Sequence, residues 1–131
     1  RLQNHEQLGR RLVWLKGAGD DQLHGLYRHS ACLLAPSEGE GFGLPLIEAA
    51  RHGVPILARD LAVFREVAGA HASYFSDADG QHALADAIRA WLAAYAAGSH
   101  MPSERMPWMT WEQHGAALLA LLRIGARPAD L

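Results

Sequence analysis

The 131 residues of this chain are 50% hydrophobic and carry a formal net charge of −2, with twelve basic and fourteen acidic side chains. This length and apolar content predict one globular domain with a buried core, which excludes a disordered chain. The charges form no basic stripe or block, so we expect neither nucleic acid nor an anionic membrane surface as a partner of these residues. The single cysteine, Cys32, has no partner in the chain, and we therefore expect no disulfide and a reducing compartment.

Short apolar runs alternate with helical patterns along the chain, which predicts an α/β fold with a parallel sheet covered by crossover helices. The four predicted strands are residues 12–15, 31–35, 54–58 and 72–75. The predicted helices are residues 20–29, 45–52, 61–67, a long helix after residue 80, and a last one over 111–124, within a C-terminal helical segment 108–125. Residues 99–107 are predicted to form a loop.

Several helix ends are indicated by specific residues. Asp20 and Asp21 are predicted to cap the first helix, Pro45 suits the first position of the second, and Gly53 suits the left-handed residue just past its end. The long helix carries an apolar stripe at three-to-four spacing, which predicts a core-facing side. The stripe consists of Leu84, Ile88, Trp91, Leu92 and Tyr95.

The segment that carries chemistry joins the second predicted strand to the second predicted helix, with glycines at positions 39, 41 and 43. Ligands of open parallel sheets bind beyond the carboxyl ends of the strands, and glycines allow close backbone approach and positive φ. The N–H groups of Gly43 and Leu44 precede the helix and predict a phosphate or other anion site. The segment lacks the Lys-Ser/Thr ending of a P-loop and the G-x-G-x-x-G spacing of a dinucleotide fold.

Two carboxylates frame this segment, Glu40 in the glycine turn and Glu48 about one turn into the helix. An ionised carboxylate repels a phosphate but accepts strong hydrogen bonds from hydroxyl groups. Glu48 would then hold a ribose and Glu40 a sugar. The alternative leaves Glu48 as a solvated helix residue and Glu40 as a capping group, and the spacing alone does not decide between the two.

Residues 40–48 read Glu-Gly-Phe-Gly-Leu-Pro-Leu-Ile-Glu, which resembles the E-x7-E motif of the retaining GT-B glycosyltransferases of family four. The flanking residues 26–27, 33–37, 53–60 and 63–69 resemble the same family, and the likeness extends from about residue 10 to about residue 122. It implies that residues 1–131 form a single, partial nucleotide-sugar-binding domain. The implied fold is Rossmann-like, the C-terminal half of a GT-B fold with its first strands missing.

The resemblance also implies residue roles. Glu40 is the implied catalytic residue, facing the donor sugar near the reacting carbon, and Glu48 binds the ribose. The backbone that meets the sugar and diphosphate is that of Gly41, Phe42, Gly43 and Leu44. Lys16 and Gly17 are implied neighbours of the base. We expect no metal or other cofactor, and GDP-mannose is the preferred donor among nucleoside-diphosphate sugars.

The same resemblance implies what is absent. No Arg/Lys pair that would grip the diphosphate precedes Arg10, and the acceptor lobe is missing. We therefore expect the chain alone to be inactive and to dimerise through an exposed sheet edge. The whole enzyme would transfer sugar with retention to an unknown glycan or lipid-linked acceptor, in bacterial polysaccharide or lipopolysaccharide biosynthesis. We expect it in the cytoplasm, with membrane-surface contact made only through the missing lobe.

Other interpretations compete with this one. A nucleotide-sugar epimerase would share the fold but needs acid–base groups that the motif does not specify, and a non-catalytic nucleotide-binding or interaction module would need no chemistry at all. Asp77 and Asp79 match a D-x-D metal motif, although opening the long helix is the simpler role for them. No two histidines share the three- or four-residue spacing of a helical metal site.

Overall fold

The computed structural model of the chain describes residues 4–80 and 82–125, with side chains through residue 122. In chain order the elements are α1 (Asp20–His29), β1 (Leu33–Ala35), α2 (Leu44–Arg51), β2 (Ile56–Arg59), α3 (Ala62–Ala68), β3 (Ser73–Phe75), α4 (Ala83–Ala96) and α5 (Trp111–Gly125). The predicted α/β fold, a Rossmann-like parallel sheet flanked by helices, is confirmed.

The sheet has the order β1-β2-β3, and both pairs of strands are parallel. Leu33 of β1 is in register with Ile56 of β2, and Ala58 of β2 with Tyr74 of β3. Parallel neighbours require a crossover connection, which α2 supplies between β1 and β2 and α3 between β2 and β3. The carboxyl ends of all three strands therefore lie at one edge of the sheet.

The predicted strand at residues 12–15 is wrong. Leu12 makes a single bridge to Leu8, closed by a hydrogen bond of 2.7 Å from the N–H of Gly9 to the carbonyl of Leu12. Residues 13–15 lie outside any strand, and Val13 is 67% exposed. A strand needs a neighbouring strand for its N–H and C=O groups, and in the described part of the chain none lies beside this segment.

The ends of α2 follow the sequence closely. Leu44 is its first residue, so Pro45 takes the second position and not the predicted first one. Gly53 adopts a φ of 67° just past its end, as predicted. The start of α1 differs, because Gly19 is its N-cap and no side chain caps it. Asp20 and Asp21 occupy the first turn instead, where they favour the helix through its dipole.

Two apolar clusters pack against the sheet. Leu46, Ile56 and Phe64 are almost fully buried in the first, whereas Leu57 of β2 belongs to the second, with Phe75 and Trp91. Consecutive strand residues point to opposite faces, so Ile56 and Leu57 place the two clusters on opposite faces. The helices α2 and α3 cover one face and α4 the other.

The predicted core stripe of α4 is only partly buried. Trp91 is buried and Ile88 packs beside it, but Leu92 is 54% exposed and Tyr95 is 44% exposed. A helix of 14 residues is about 21 Å long, whereas the three residues of β3 span only about 10 Å. The sheet is too short to cover the last turns of α4.

The predicted loop over residues 99–107 is confirmed, and part of it is buried. Ser103 is fully buried, and its hydroxyl donates to the carbonyl of Val54 at 2.7 Å. Met106 packs in the first cluster at 3% exposure. The loop thus closes the core beside the start of β2.

The last helix, α5, begins at Trp111, whereas residues 108–110 are not helical. Every described side chain on it, from residue 111 to residue 122, is exposed, and Trp111 is 79% exposed. None of the helices in the described part of the chain has the length and apolar content needed to cross a bilayer.

Candidate functional site

The connection from β1 to α2 turns at Gly43, which has φ 66° and ψ 28° and is buried. A Cβ there would lie 3.4 Å from Cδ1 of Phe64 and 3.5 Å from Cγ2 of Val67. The left-handed backbone and the packing of α3 therefore both favour glycine at this position. Gly39 and Gly41 do not have positive φ, and a Cβ on either would meet no atom within 4 Å.

Glu40 lies on the exposed part of this connection. Its Oε1 accepts a hydrogen bond of 3.0 Å from the N–H of Gly41. The capping alternative for Glu40 is wrong, because Gly43 is the N-cap of α2 and no side chain caps that helix. Phe42 is 78% exposed and Leu44 is 45% exposed, so the surface around the carboxylate is open and partly apolar.

Glu48 lies on α2 and is half-buried. Its Oε2 accepts a hydrogen bond of 2.9 Å from the hydroxyl of Tyr27 on α1, so the carboxylate has a partner within the protein and is only partly solvated. Burial and the bond to Glu48 both raise the pKa of Tyr27 well above its usual range, which keeps the phenol protonated and donating. The bond joins two helices and holds the carboxylate in one orientation.

Two histidines extend this contact. The ring of His52, the residue after α2, stacks on the ring of Tyr27 with centroids 5.5 Å apart, and its Nε2 lies 2.9 Å from Nδ1 of His24 on α1. Burial, followed by the nearby His24, Arg28 and Arg51, lowers the pKa of His52. The neutral imidazole is thereby favoured next to Tyr27.

Sequence reasoning missed this group. Tyr27 and Glu48 are 21 residues apart and His24 and His52 are 28 apart, so no helical or strand spacing connects them. The usable signal was indirect, since α1 and α2 are the helices on either side of β1 in the chain.

Lys16 and Gly17 lie elsewhere. Both are exposed, and Gly17 has a φ of 69°. Lys16 borders an open cavity of about 470 Å³, and no residue of the segment 40–48 lines that cavity. The residues that line it are Asn4, Leu8, Gly9, Val13, Trp14 and Lys16. Glu40 and the glycine turn lie on the connection that leads into α2, which carries Glu48, and Lys16 is part of neither element.

The acidic side chains after β3, Asp77 and Asp79, already form contacts within the protein. Ser76 caps a single 3₁₀ turn, Asp77–Asp79, and Asp79 Oδ2 accepts a hydrogen bond of 3.3 Å from the N–H of Ser76. Asp77 forms an ion pair with Arg59. Since α4 begins only at Ala83, these acids cap and anchor the preceding turn and do not open the long helix. Within residues 4–80 and 82–125, no three His, Cys, Asp or Glu side chains are grouped to hold a metal ion.

Comparisons with known proteins agree with this architecture. Residues 1–104 match the family of Glycosyl transferases group 1. The chain is 44% identical over 129 residues to a serotype-specific mannosyltransferase, WbdA, of Escherichia coli, covering 98% of this chain and 16% of that protein. It is 31% identical over 117 residues to a D-inositol 3-phosphate glycosyltransferase of Actinosynnema mirum, covering 82% of the chain and 27% of the relative.

A shorter match involves an O-antigen chain mannosyltransferase, RfbU, of Salmonella typhimurium. The identity is 34% over 73 residues, which is 56% of this chain and 21% of that protein. The chain therefore spans between 16% and 27% of the length of these three relatives.

Proposed function

This chain belongs to the family of Glycosyl transferases group 1, and on that basis we propose that it binds the nucleoside-diphosphate sugar donor of a hexosyltransferase. Glu48 accepts hydrogen bonds from the ribose hydroxyls, and Glu40 faces the donor sugar as the catalytic residue. The backbone from Gly41 to Leu44 lies against the sugar and the diphosphate.

The observation that carries this proposal is the hydrogen bond from Tyr27 to Glu48. It uses Oε2 alone, and among the described residues no other donor reaches the carboxylate, so Oε1 is able to accept from a hydroxyl. A ribose offers two adjacent hydroxyls, and hydrogen bonds to an ionised carboxylate are about twice as strong as neutral ones. Because Tyr27 already fixes the rotamer of Glu48, little side-chain entropy is lost when the ribose binds.

The start of α2 supports a diphosphate next to the ribose. Pro45 has no N–H and the N–H of Leu46 donates to the carbonyl of Gly43 at 3.0 Å, so the N–H of Leu44 is the one left for a ligand, at a helix end that carries partial positive charge. No acidic residue occupies the first turn of α2, and no side chain caps it. A phosphate can therefore take the place of the missing cap without repulsion from a neighbouring carboxylate on that turn.

The donor and the pathway rest on the relatives and on the motif. We propose mannose as the sugar because WbdA and RfbU are both named as mannosyltransferases, and RfbU as one of O-antigen chains. The GDP moiety, transfer with retention and the absence of a metal requirement follow from the resemblance of residues 40–48 to the E-x7-E motif. The acceptor is a glycan or a lipid-linked glycan, and its site, like the basic groups that hold the diphosphate, belongs to parts of the enzyme outside these residues.

Calorimetric titration of GDP, UDP and ADP into the chain tests the proposal. We expect GDP to bind saturably, Glu48→Ala to weaken binding by about 1–3 kcal/mol and Tyr27→Phe to weaken it by about 0.5–1.5 kcal/mol, the usual effects of losing a charged partner and a single hydrogen bond. The matched control is Glu112→Ala, which removes an exposed carboxylate on α5 and should leave the affinity unchanged.

Equal affinity in Glu48→Ala and the unaltered chain would overturn the ribose role. If none of the three nucleotides binds, the same titration is repeated with the full-length enzyme. Failure there as well would favour the alternative of a non-catalytic interaction module.

A further inference from the structure

Arg59, the last residue of β2, has a side chain that is only 13% exposed. Its Nε donates to the carbonyl oxygens of Pro36 and Ser37 at 3.1 and 3.0 Å, and its Nη2 donates to Pro36 at 2.9 Å. Its Nη1 forms the ion pair with Asp77. The guanidinium carbon also lies 5.2 Å from the centre of the Phe75 ring. All three nitrogens of the group are thus used.

These partners come from all three strands. Pro36 and Ser37 follow β1, Arg59 ends β2, and Asp77 lies two residues past β3. One planar group with several donors in fixed directions therefore ties together the carboxyl ends of the whole sheet, which the single nitrogen of a lysine cannot do. The carboxyl edge is also the edge from which the connection to α2 departs.

The contact fixes one end of the connection that carries Glu40. Ser37 is held by Arg59, and Gly43 is held at the other end against Phe64. The residues between, 38–42, are all exposed, so the place of the Glu40 carboxylate depends on these two anchor points.

We propose that Arg59 is a positioning residue for the donor site, acting through the backbone of Pro36 and Ser37 to place Glu40. Each of its three nitrogens already has a partner on the protein, and the proposed role requires no contact between the guanidinium and a phosphate. The anchoring is read from the contacts alone, whereas its consequence for the donor rests on the proposed function.

The three phenylalanines of the chain allow the anchoring to be measured directly. Phe42 lies in the connection, Phe64 in the core and Phe75 on β3, and the sequence has no other. Labelling with 4-fluorophenylalanine gives three ¹⁹F NMR resonances. Because the Phe42 ring is 78% exposed, the mobility of the connection is read from the linewidth of its resonance. In Arg59→Met we expect the Phe42 resonance to narrow while the Phe64 resonance stays in place. The Phe75 resonance also moves, because Arg59 lies over that ring.

The matched control is Arg65→Met. Arg65 forms a two-pronged ion pair with Asp60 at 2.7 and 2.9 Å and lies 3.8 Å from the ring centre of Tyr74. Like Arg59 it pairs with a carboxylate and lies over an aromatic ring, but it forms no hydrogen bond or ion pair with residues 36–43. Its removal should leave the Phe42 resonance unchanged. Arg59→Lys should behave like Arg59→Met, because lysine keeps the positive charge but lacks the planar group with several donors.

A native Phe42 resonance in a folded Arg59→Met chain would overturn the proposal. If that variant lacks the native Phe64 resonance and is therefore unfolded, the proposal is tested with Asp77→Asn instead. It weakens one side of the contact, and it should narrow the Phe42 resonance by a smaller amount. An unchanged Phe42 linewidth in Asp77→Asn would then overturn the anchoring.

The consequence of the anchoring for donor binding is measured as the affinity for two ligands. In Arg59→Met the affinity for GDP-mannose should fall about tenfold or more, as expected for a misplaced site group. The affinity for GDP, which has the ribose and both phosphates but lacks the sugar, should stay within about twofold. Equal losses for both ligands would contradict the positioning role. If neither ligand binds even to the unaltered enzyme but the ¹⁹F difference persists, the donor function fails and the anchoring stands.

Discussion

Two regions of this molecule carry similar apolar patterns and differ in burial. Between residues 33 and 106 the sheet and its helices enclose fully buried side chains such as Phe64 and Ile56. In residues 4–30 and 108–122 no described side chain is buried, although Trp14 and Leu121 are just as apolar. A helical or strand period predicts which face of an element is apolar, but burial also requires an opposing surface. Only the first of these two conditions can be read from local sequence.

The largest expected effect lies in the packed region. Phe64→Ala removes a ring that is 1% exposed and that packs against Gly43. We expect it to lower the free energy of unfolding by about 3–5 kcal/mol. The control, Trp111→Ala, removes a larger ring that is 79% exposed, and it should change stability by no more than about 0.5 kcal/mol. Urea denaturation followed by circular dichroism measures both, and equal losses would erase the distinction between the regions.

The next effect concerns Cys32, which lies just before β1, where the packed region begins. Burial raises the pKa of its thiol to about 11, from an ordinary value near 9. Because the thiolate is the nucleophile, alkylation by iodoacetamide near pH 8 should be about a hundredfold slower in the native chain than in denaturant. The native rate should keep rising with pH towards about 11. Similar rates in both states would show that Cys32 belongs with the exposed region.

The smallest expected effect is self-association of the isolated chain. Among the described residues β1 pairs with β2 alone, so its other edge presents unpaired backbone groups, and Leu34 in the middle of β1 is 40% exposed. Unprotected edges of this kind favour intermolecular pairing. Sedimentation velocity at rising concentration should show a dimer or larger species, which Leu34→Lys weakens and the control Leu118→Lys on α5 does not. A clean monomer at high concentration would contradict the prediction.

Local chemistry explains which parts of the fold were predictable. Pro45 and Gly53 specify the ends of α2, and the loop from residue 99 to residue 107 was read correctly from composition. The strand expected at residues 12–15 was wrong because strand formation depends on a neighbour that local sequence does not reveal. The length mismatch between α4 and β3, which leaves Tyr95 exposed, is likewise a property of the assembled sheet.

The candidate site divides in the same way. Glu40 and Glu48 stand out in the sequence because both belong to one nine-residue motif. The groups that hold them in place, Tyr27 and Arg59, contact the site across 21 or more residues. Each of these contacts forms only when the folded chain brings separate segments together. The residues proposed to meet the ligand were therefore predictable, and those that orient them were not.

The buried loop after α4 has a practical consequence for where this domain stops. The family match ends at residue 104, between Ser103, whose hydroxyl binds the carbonyl of Val54, and Met106, which packs in the core. A polypeptide cut after α4, at Gly98, would keep every strand of the sheet but lose Ser103 and Met106. The carbonyl of Val54 would lose its hydrogen bond, and the first apolar cluster would be open to solvent. A C-terminal expression boundary compatible with an intact core therefore lies beyond residue 106, past the last regular helix of the packed region.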